Sequence, residues 1–112
     1  MNKNKPIGVS LEREVQIMPI VTDLTRLLGC TAYERKNFVT VQNMGIENYW
    51  IGRGDLPVEE PLYQISCRGI AQQGQEYLEK AYRIEVSTLF GEPISEELEA
   101  RVIGIIRKAP SD

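Results

Sequence analysis

Three short segments rich in β-branched and aromatic residues constrain the fold of this chain most strongly. They cover residues 38–42, 48–53 and 62–68, and residues of these types favour strands. Turn-forming residues at 43–45 separate the first two segments, and an acidic loop with two prolines at 54–61 separates the second from the third. Consecutive strands with short connections pair antiparallel, so the sequence predicts an antiparallel meander.

Two other segments have the periodicity of amphipathic helices. Residues 18–29 carry an apolar stripe on one helical face and end at Gly29, a typical helix stop. Residues 95–109 begin with Ser95, the expected N-cap, and place Leu98, Val102 and Ile106 on one face. We therefore expect a helix before the three strands and another at the end of the chain.

Two segments are compatible with more than one structure. Residues 70–90 contain a helical stripe, yet residues 82–90 also alternate between apolar and polar positions as a strand does. The stripe and the stop at Gly91 favour a helix. Residues 9–17 fit a helix capped by Ser10 or an extended arm, and 15–17 alternate like a short strand.

These elements together predict one α+β domain over residues 1–112. We expect a small antiparallel sheet of about three to four strands packed against three helices. The polar ends, residues 1–8 and 110–112, are expected to be flexible.

The chain contains no histidine. Histidine is the usual general base near neutral pH and a common metal ligand, so Ser-His-Asp and Cys-His catalysis and histidine metal sites are excluded. Cys30 and Cys67 are too few for an all-cysteine zinc site, and we expect both to be free thiols. The sequence thus predicts no metal and no cofactor, and the lack of a recognisable catalytic constellation argues against enzyme activity without deciding it. The catalytic alternative uses carboxylate, tyrosine or thiol chemistry, and its thiol form is a Cys67 nucleophile whose pKa is lowered by Arg68 and a following helix N-terminus.

The net charge of −3 argues against nucleic acid as the main partner, because the 13 basic residues are spread among acids along the chain. No apolar run approaches the roughly 18 residues that span a bilayer. The N-terminus does not resemble a secretory signal, because its lysines are not followed by an apolar segment. We expect a soluble, cytoplasmic protein without a membrane partner.

Aromatic residues on the predicted sheet are the candidate anchors for a partner. Tyr49 and Trp50 are neighbours on one strand, so they lie on opposite faces, and Tyr63 lies on the next strand. A sheet with helices on one side leaves its other face open and its edge strand available for pairing. The sequence therefore favours a non-catalytic protein-binding or assembly module, associating with another protein or with its own copy as a dimer.

Two arginines support an alternative function. Arg68 precedes a predicted strand-to-helix junction at 69–74, and Arg53 ends the neighbouring strand. Two guanidinium groups beside free helix N–H groups form a site for phosphate or carboxylate. The alternative is therefore a domain that binds a small anionic, nucleotide-like ligand, with Trp50 or Tyr63 stacking on it. Two solvated arginines are the simpler interpretation.

Overall fold

A computed structural model describes residues 6–39, 45–71 and 80–111 of the chain. The elements in chain order are β1 (Ile7–Leu11), α1 (Ile17–Leu27), β2 (Ala32–Val39), β3 (Gly45–Arg53), β4 (Glu60–Ala71), β5 (Lys80–Thr88) and α2 (Glu96–Arg107). The strands form one sheet in the order β1-β5-β4-β3-β2, and every neighbouring pair is antiparallel. Strands β2 to β5 form a meander, and β1 pairs with the outer side of β5.

The predicted sheet of three to four strands packed against three helices is wrong. The described residues form five strands and two helices. The main cause is the segment 70–90, which was expected to be helical. Strand β4 continues through Ala71 and β5 occupies Lys80–Thr88, whereas residues 72–79 lie outside the described residues. In β5 the buried Ile84 and Val86 alternate with half-buried Glu85. This segment therefore follows the two-residue period of a strand and not the period of a helix.

The second additional strand is β1. Its Ile7, Val9 and Leu11 are buried and alternate with exposed Gly8 and Ser10. Of the two structures considered for residues 9–17, the helix is therefore wrong, and the extended alternative agrees with β1 over residues 9–11. The register pairs Ile7 with Val86 and Val9 with Ile84, so β1 and β5 supply one continuous apolar surface to the core.

The other local predictions agree with the structure. Strands β3 and β4 contain the segments 48–53 and 62–68, and α1 and α2 match the two predicted helices. Ser95 caps α2, and its Oγ accepts a hydrogen bond from the Leu98 N–H at 3.2 Å. Strand β2 begins earlier than predicted, at Ala32, and residues 40–42 of that prediction lie outside the described residues.

Both helices pack on the same face of the sheet. Ile20, Val21 and Leu24 of α1 and Val102 and Ile106 of α2 are buried in one core with the apolar residues of the strands. Burial of this apolar surface is the main stabilisation of such a fold. No helix among the described residues is long and apolar enough to cross a bilayer.

The C-terminal segment returns to the connection between β1 and α1. The Gln16 N–H donates to the Pro110 carbonyl at 2.9 Å, and Val15 and Ser111 form an antiparallel bridge. Arg13 Nη2 donates to the Arg107 carbonyl at 2.9 Å. Residues 110 and 111 therefore have defined partners, as residues 7 and 8 have in β1. Flexibility of the chain ends stays a prediction.

Candidate functional site on the open face of the sheet

Strand alternation gives the sheet one covered and one open face. On the covered face, side chains such as Ile51, Ile65 and Val86 pack against the helices. The side chains between them point to the opposite face, and no helix among the described residues packs there. We call this surface the open face. Its residues with described side chains include Ser10, Glu34, Ile46, Asn48, Trp50, Gln64, Ser66, Arg68, Arg83, Glu85 and Ser87.

Trp50 is the large aromatic residue among the side chains that the structure describes on this face. It lies on the inner strand β3, directly opposite Glu34 of β2 and Gln64 of β4, and its side chain is half-buried. Gln64 Nε2 donates to Asn48 Oδ1 at 3.1 Å. Asn48 is only 8% exposed although no described helix lies over it, and Gln64 is half-buried, so this amide pair is largely shielded from water.

The charges on the open face are of both signs. Arg68 and Arg83 are directly opposite each other on β4 and β5. Arg83 Nη1 donates to Ser10 Oγ at 2.9 Å, and its Nε lies 3.9 Å from Glu85 Oε1. Glu34 adds a second carboxylate on β2. Among the side chains that the structure describes, two glutamates and two arginines therefore lie on this face.

Tyr49 and Tyr63, the other two candidate anchors, lie on the covered face. They are 2% and 4% exposed, so their rings belong to the core. The Tyr49 hydroxyl donates to Glu47 Oε2 at 2.9 Å, and that of Tyr63 donates to the Glu92 carbonyl at 3.0 Å. Of the three aromatic candidates, Trp50 is the one that the fold presents on the open face.

Burial dominates the titration of Tyr49. Burial, the hydrogen bond to Glu47 and the negative charge of that carboxylate together raise the pKa of the phenol to about 12, and burial has the largest effect. Arg35 acts in the opposite direction. The Arg35 Nη2 lies 3.1 Å from Glu47 Oε1, and its guanidinium carbon lies 5.9 Å from the centre of the Tyr49 ring. Arg35, Glu47 and Tyr49 therefore form one cluster of contacts on the covered face.

Arg53 and Arg68 are not brought together. Arg53 pairs with Glu60 at the end of β3, whereas Arg68 pairs with Ile46 near the beginning of that strand. At a rise of about 3.3 Å per residue, these two pairing positions are about 23 Å apart. The predicted strand-to-helix junction is also wrong at its beginning, because Gly69 to Ala71 continue β4. In the described structure the two guanidinium groups are therefore too far apart to bind one small anion together.

Cys67 does not have the environment of an activated thiol. It is 5% exposed, and burial, with a smaller effect of Glu47, raises its pKa to about 12. This direction is opposite to the one that the sequence suggested, because β4 continues past Arg68 and no helix begins there. Both cysteines are free thiols, as expected.

A cleft of about 520 Å³ lies between α1, the beginning of β2 and the β3–β4 loop. Its lining includes Thr22 and Arg26 of α1, Cys30 and Tyr33 from the segment that follows, and Asp55 of the β3–β4 loop. Burial raises the pKa of the Cys30 thiol, and the nearby charge of Arg53 partly offsets this effect. Arg53 therefore contributes positive potential to this cleft rather than to a site with Arg68.

No protein-family model, curated protein or solved structure matches this chain. Within residues 6–39, 45–71 and 80–111, no three histidine, cysteine, aspartate or glutamate side chains are grouped as a metal site requires. Trp50 on the open face and the charged cleft beside α1 are the two features that geometry alone singles out.

Sequence reasoning missed the amide pair beside Trp50 and the charged cleft. The alternation of β3 and β4 was a usable signal for Asn48 and Gln64, because both side chains must lie on the same face as Trp50. The cleft had no such signal. Arg26 and Asp55 lie in separate elements, and only the packing of α1 near the β3–β4 loop brings them to one site.

Proposed function

We propose that this protein is a non-catalytic assembly module that associates with a second copy of itself through the open face. The proposal is supported by the half-buried Trp50, which lies on a sheet face against which neither described helix packs. Aromatic residues are enriched in the buried centres of protein interfaces and contribute much of their binding energy.

The surroundings of Trp50 suit a second copy better than a charged partner. The amides of Asn48 and Gln64 are already hydrogen-bonded to each other, which lowers the cost of excluding water from them. Glu34, Glu85, Arg68 and Arg83 carry charges of both signs, so two identical faces can bring opposite charges together.

The size of the face is compatible with a dimer. Five strands about 4.8 Å apart and about eight residues long present a surface on the order of 600 Å². A standard interface buries about 800 Å² on each partner, and smaller ones are typical of weak, reversible association. We therefore expect a dissociation constant in the micromolar range rather than an obligate dimer.

The edges of the sheet are less suited to self-association. Edge strand β2 carries the consecutive charged residues Glu34 and Arg35, and charges on an edge strand disfavour pairing with another strand. Edge strand β1 has only five residues. The proposed contact is therefore face to face rather than edge to edge.

Sedimentation equilibrium of Trp50→Thr tests the proposal. Loss of an interface anchor costs about 2 kcal/mol or more, so we expect dimerisation to weaken by about thirtyfold or more. Phe90→Thr is the matched control, because Phe90 is 82% exposed but lies in the connection between β5 and α2. It should associate like the unmodified protein.

Two results would contradict self-association through this face. One is an unmodified protein that remains monomeric up to about 1 mM, because at this concentration association with a binding free energy of only about 4 kcal/mol would still be detected. The other is a dimer that Phe90→Thr weakens and Trp50→Thr leaves intact. Circular dichroism of each variant separates loss of association from loss of the fold.

A further inference from the structure

The cleft beside α1 holds opposite charges that do not neutralise each other. Arg26 and Asp55 both line it, yet these two residues, each within the described part of the chain, form no ion pair with one another. From this arrangement we infer that the cleft binds a small amino-carboxylate, a ligand that carries one carboxylate and one ammonium group. This site is independent of the proposed association through the open face.

Backbone hydrogen bonds hold the walls of the cleft in place. The Cys30 N–H donates to the Thr25 carbonyl at 2.8 Å, and the Thr31 N–H donates to the Gly52 carbonyl at 2.9 Å. The Gly54 N–H donates to Thr31 Oγ1 at 3.3 Å. Gly54 has a φ of 106°, which a residue with a Cβ rarely adopts. The backbone that carries Asp55 is therefore tied to the loop after α1 before any ligand binds, which reduces the entropy cost of binding.

The charges of the cleft select against ligands with a single charge. A guanidinium is well suited to bind a carboxylate, and Arg53 adds positive potential near Cys30. Asp55 would repel a simple anion at the same place, and Arg26 would repel a simple cation. A ligand with both charges satisfies the two side chains together.

The remaining lining suits a short hydrocarbon segment between the charged groups. Ala32, Tyr33 and Leu56 contribute apolar surface, and Leu56 is 68% exposed at the margin of the cleft. The volume of about 520 Å³ lies within the usual range of about 300 to 1,000 Å³ for small-molecule sites. The cleft therefore has room for an amino acid or a longer ω-amino acid.

A ligand series of increasing length tests the inference and measures the spacing of the two charges. The probes are glycine, L-leucine, β-alanine, 4-aminobutanoate and 6-aminohexanoate, added to the ¹⁵N-labelled protein and followed by amide NMR. Hexanoate and hexylamine are the singly charged comparisons. We expect at least one amino-carboxylate to shift the Thr31, Gly54 and Asp55 amides, with affinity at least about tenfold higher than either comparison.

Two variants test whether binding depends on the charged side chains of Arg26 and Asp55. Arg26→Gln and Asp55→Asn should each weaken the best probe by about tenfold or more, which corresponds to about 1.4 kcal/mol. Asp23→Asn is the matched control, because Asp23 is an exposed acid of α1 that does not line the cleft. The amide spectrum of each variant shows whether it is folded.

Three results would overturn the inference. These are that no amino-carboxylate shifts the cleft amides up to about 20 mM, that hexanoate or hexylamine binds as tightly as the best amino-carboxylate, and that a folded Asp55→Asn binds the best probe unchanged. None of these results alters the sedimentation of Trp50→Thr, so failure of this site and failure of the proposed association are distinguishable.

Discussion

Val86→Ala distinguishes the strand in the last third of the chain from the helix that the sequence favoured. In β5, Val86 is 1% exposed and pairs with Ile7 on one side and Ile65 on the other. In a helix over 70–90, position 86 lies off the apolar stripe. Truncation of this side chain is therefore costly only if β5 is a strand.

The expected cost follows from the buried volume. Val86→Ala removes two carbon groups, at about 0.8 kcal/mol for each group buried, and leaves a cavity beside Ile65 that adds a further cost. We expect the free energy of unfolding to fall by about 2 to 3 kcal/mol. That is a large fraction of the roughly 5 to 15 kcal/mol typical of a domain.

Urea unfolding at a protein concentration that gives monomer measures this change. The matched control is Val58→Ala, because Val58 is a half-buried valine in the β3–β4 loop, and it should cost less than about 1 kcal/mol. A loss below about 0.5 kcal/mol for Val86→Ala, or equal losses for the two variants, would refute the strand assignment and the burial argument together.

Two further predictions concern titratable groups. Under native conditions a thiol reagent should label Cys30 first and leave Cys67 unlabelled until unfolding. The reason is that Cys67 is 5% exposed and has a pKa raised to about 12. Rapid labelling of Cys67 in the folded protein would contradict its burial. The raised pKa of Tyr49, about 12 against an ordinary value near 10, means that the folded state holds this proton more tightly. Its stabilising effect is therefore complete below about pH 10 and is lost as pH rises towards 12. Tyr49→Phe should remove this alkaline loss in pH-dependent urea unfolding and cost about 1 kcal/mol at pH 7 through the lost hydrogen bond, and an unchanged alkaline profile would contradict the assignment.

Sequence reasoning succeeded where an element carries its own pattern. The apolar stripe of α1, the Ser95 cap of α2 and the β-rich segments of β3 and β4 are local signals, and each is present in the structure. The failures required long-range information. Ile84 fits both a helical stripe and a strand alternation, and its partner Val9 is near the other end of the chain. Because β1 is short and lies beside a polar N-terminal segment, its own pattern was weak.

The candidate site was predictable only in part, because strand alternation is a local signal whereas the position of the helices is not. Alternation required Tyr49 and Trp50 to lie on opposite faces, and the structure confirms this. Which of them faces the core depends on where the helices pack, and no local pattern contains that information. The joint site of Arg53 and Arg68 was wrong and conflicted with the predicted meander, because two consecutive antiparallel strands finish at opposite ends of the sheet.

The fluorescence of Trp50 as a function of protein concentration tests the proposed association most directly, because it is the only tryptophan in the chain. If the open face forms the dimer, the emission should shift to shorter wavelength and resist acrylamide quenching as concentration rises. The midpoint should equal the dissociation constant from sedimentation. A dimer in sedimentation whose Trp50 emission and quenching do not change with concentration would contradict association through the open face.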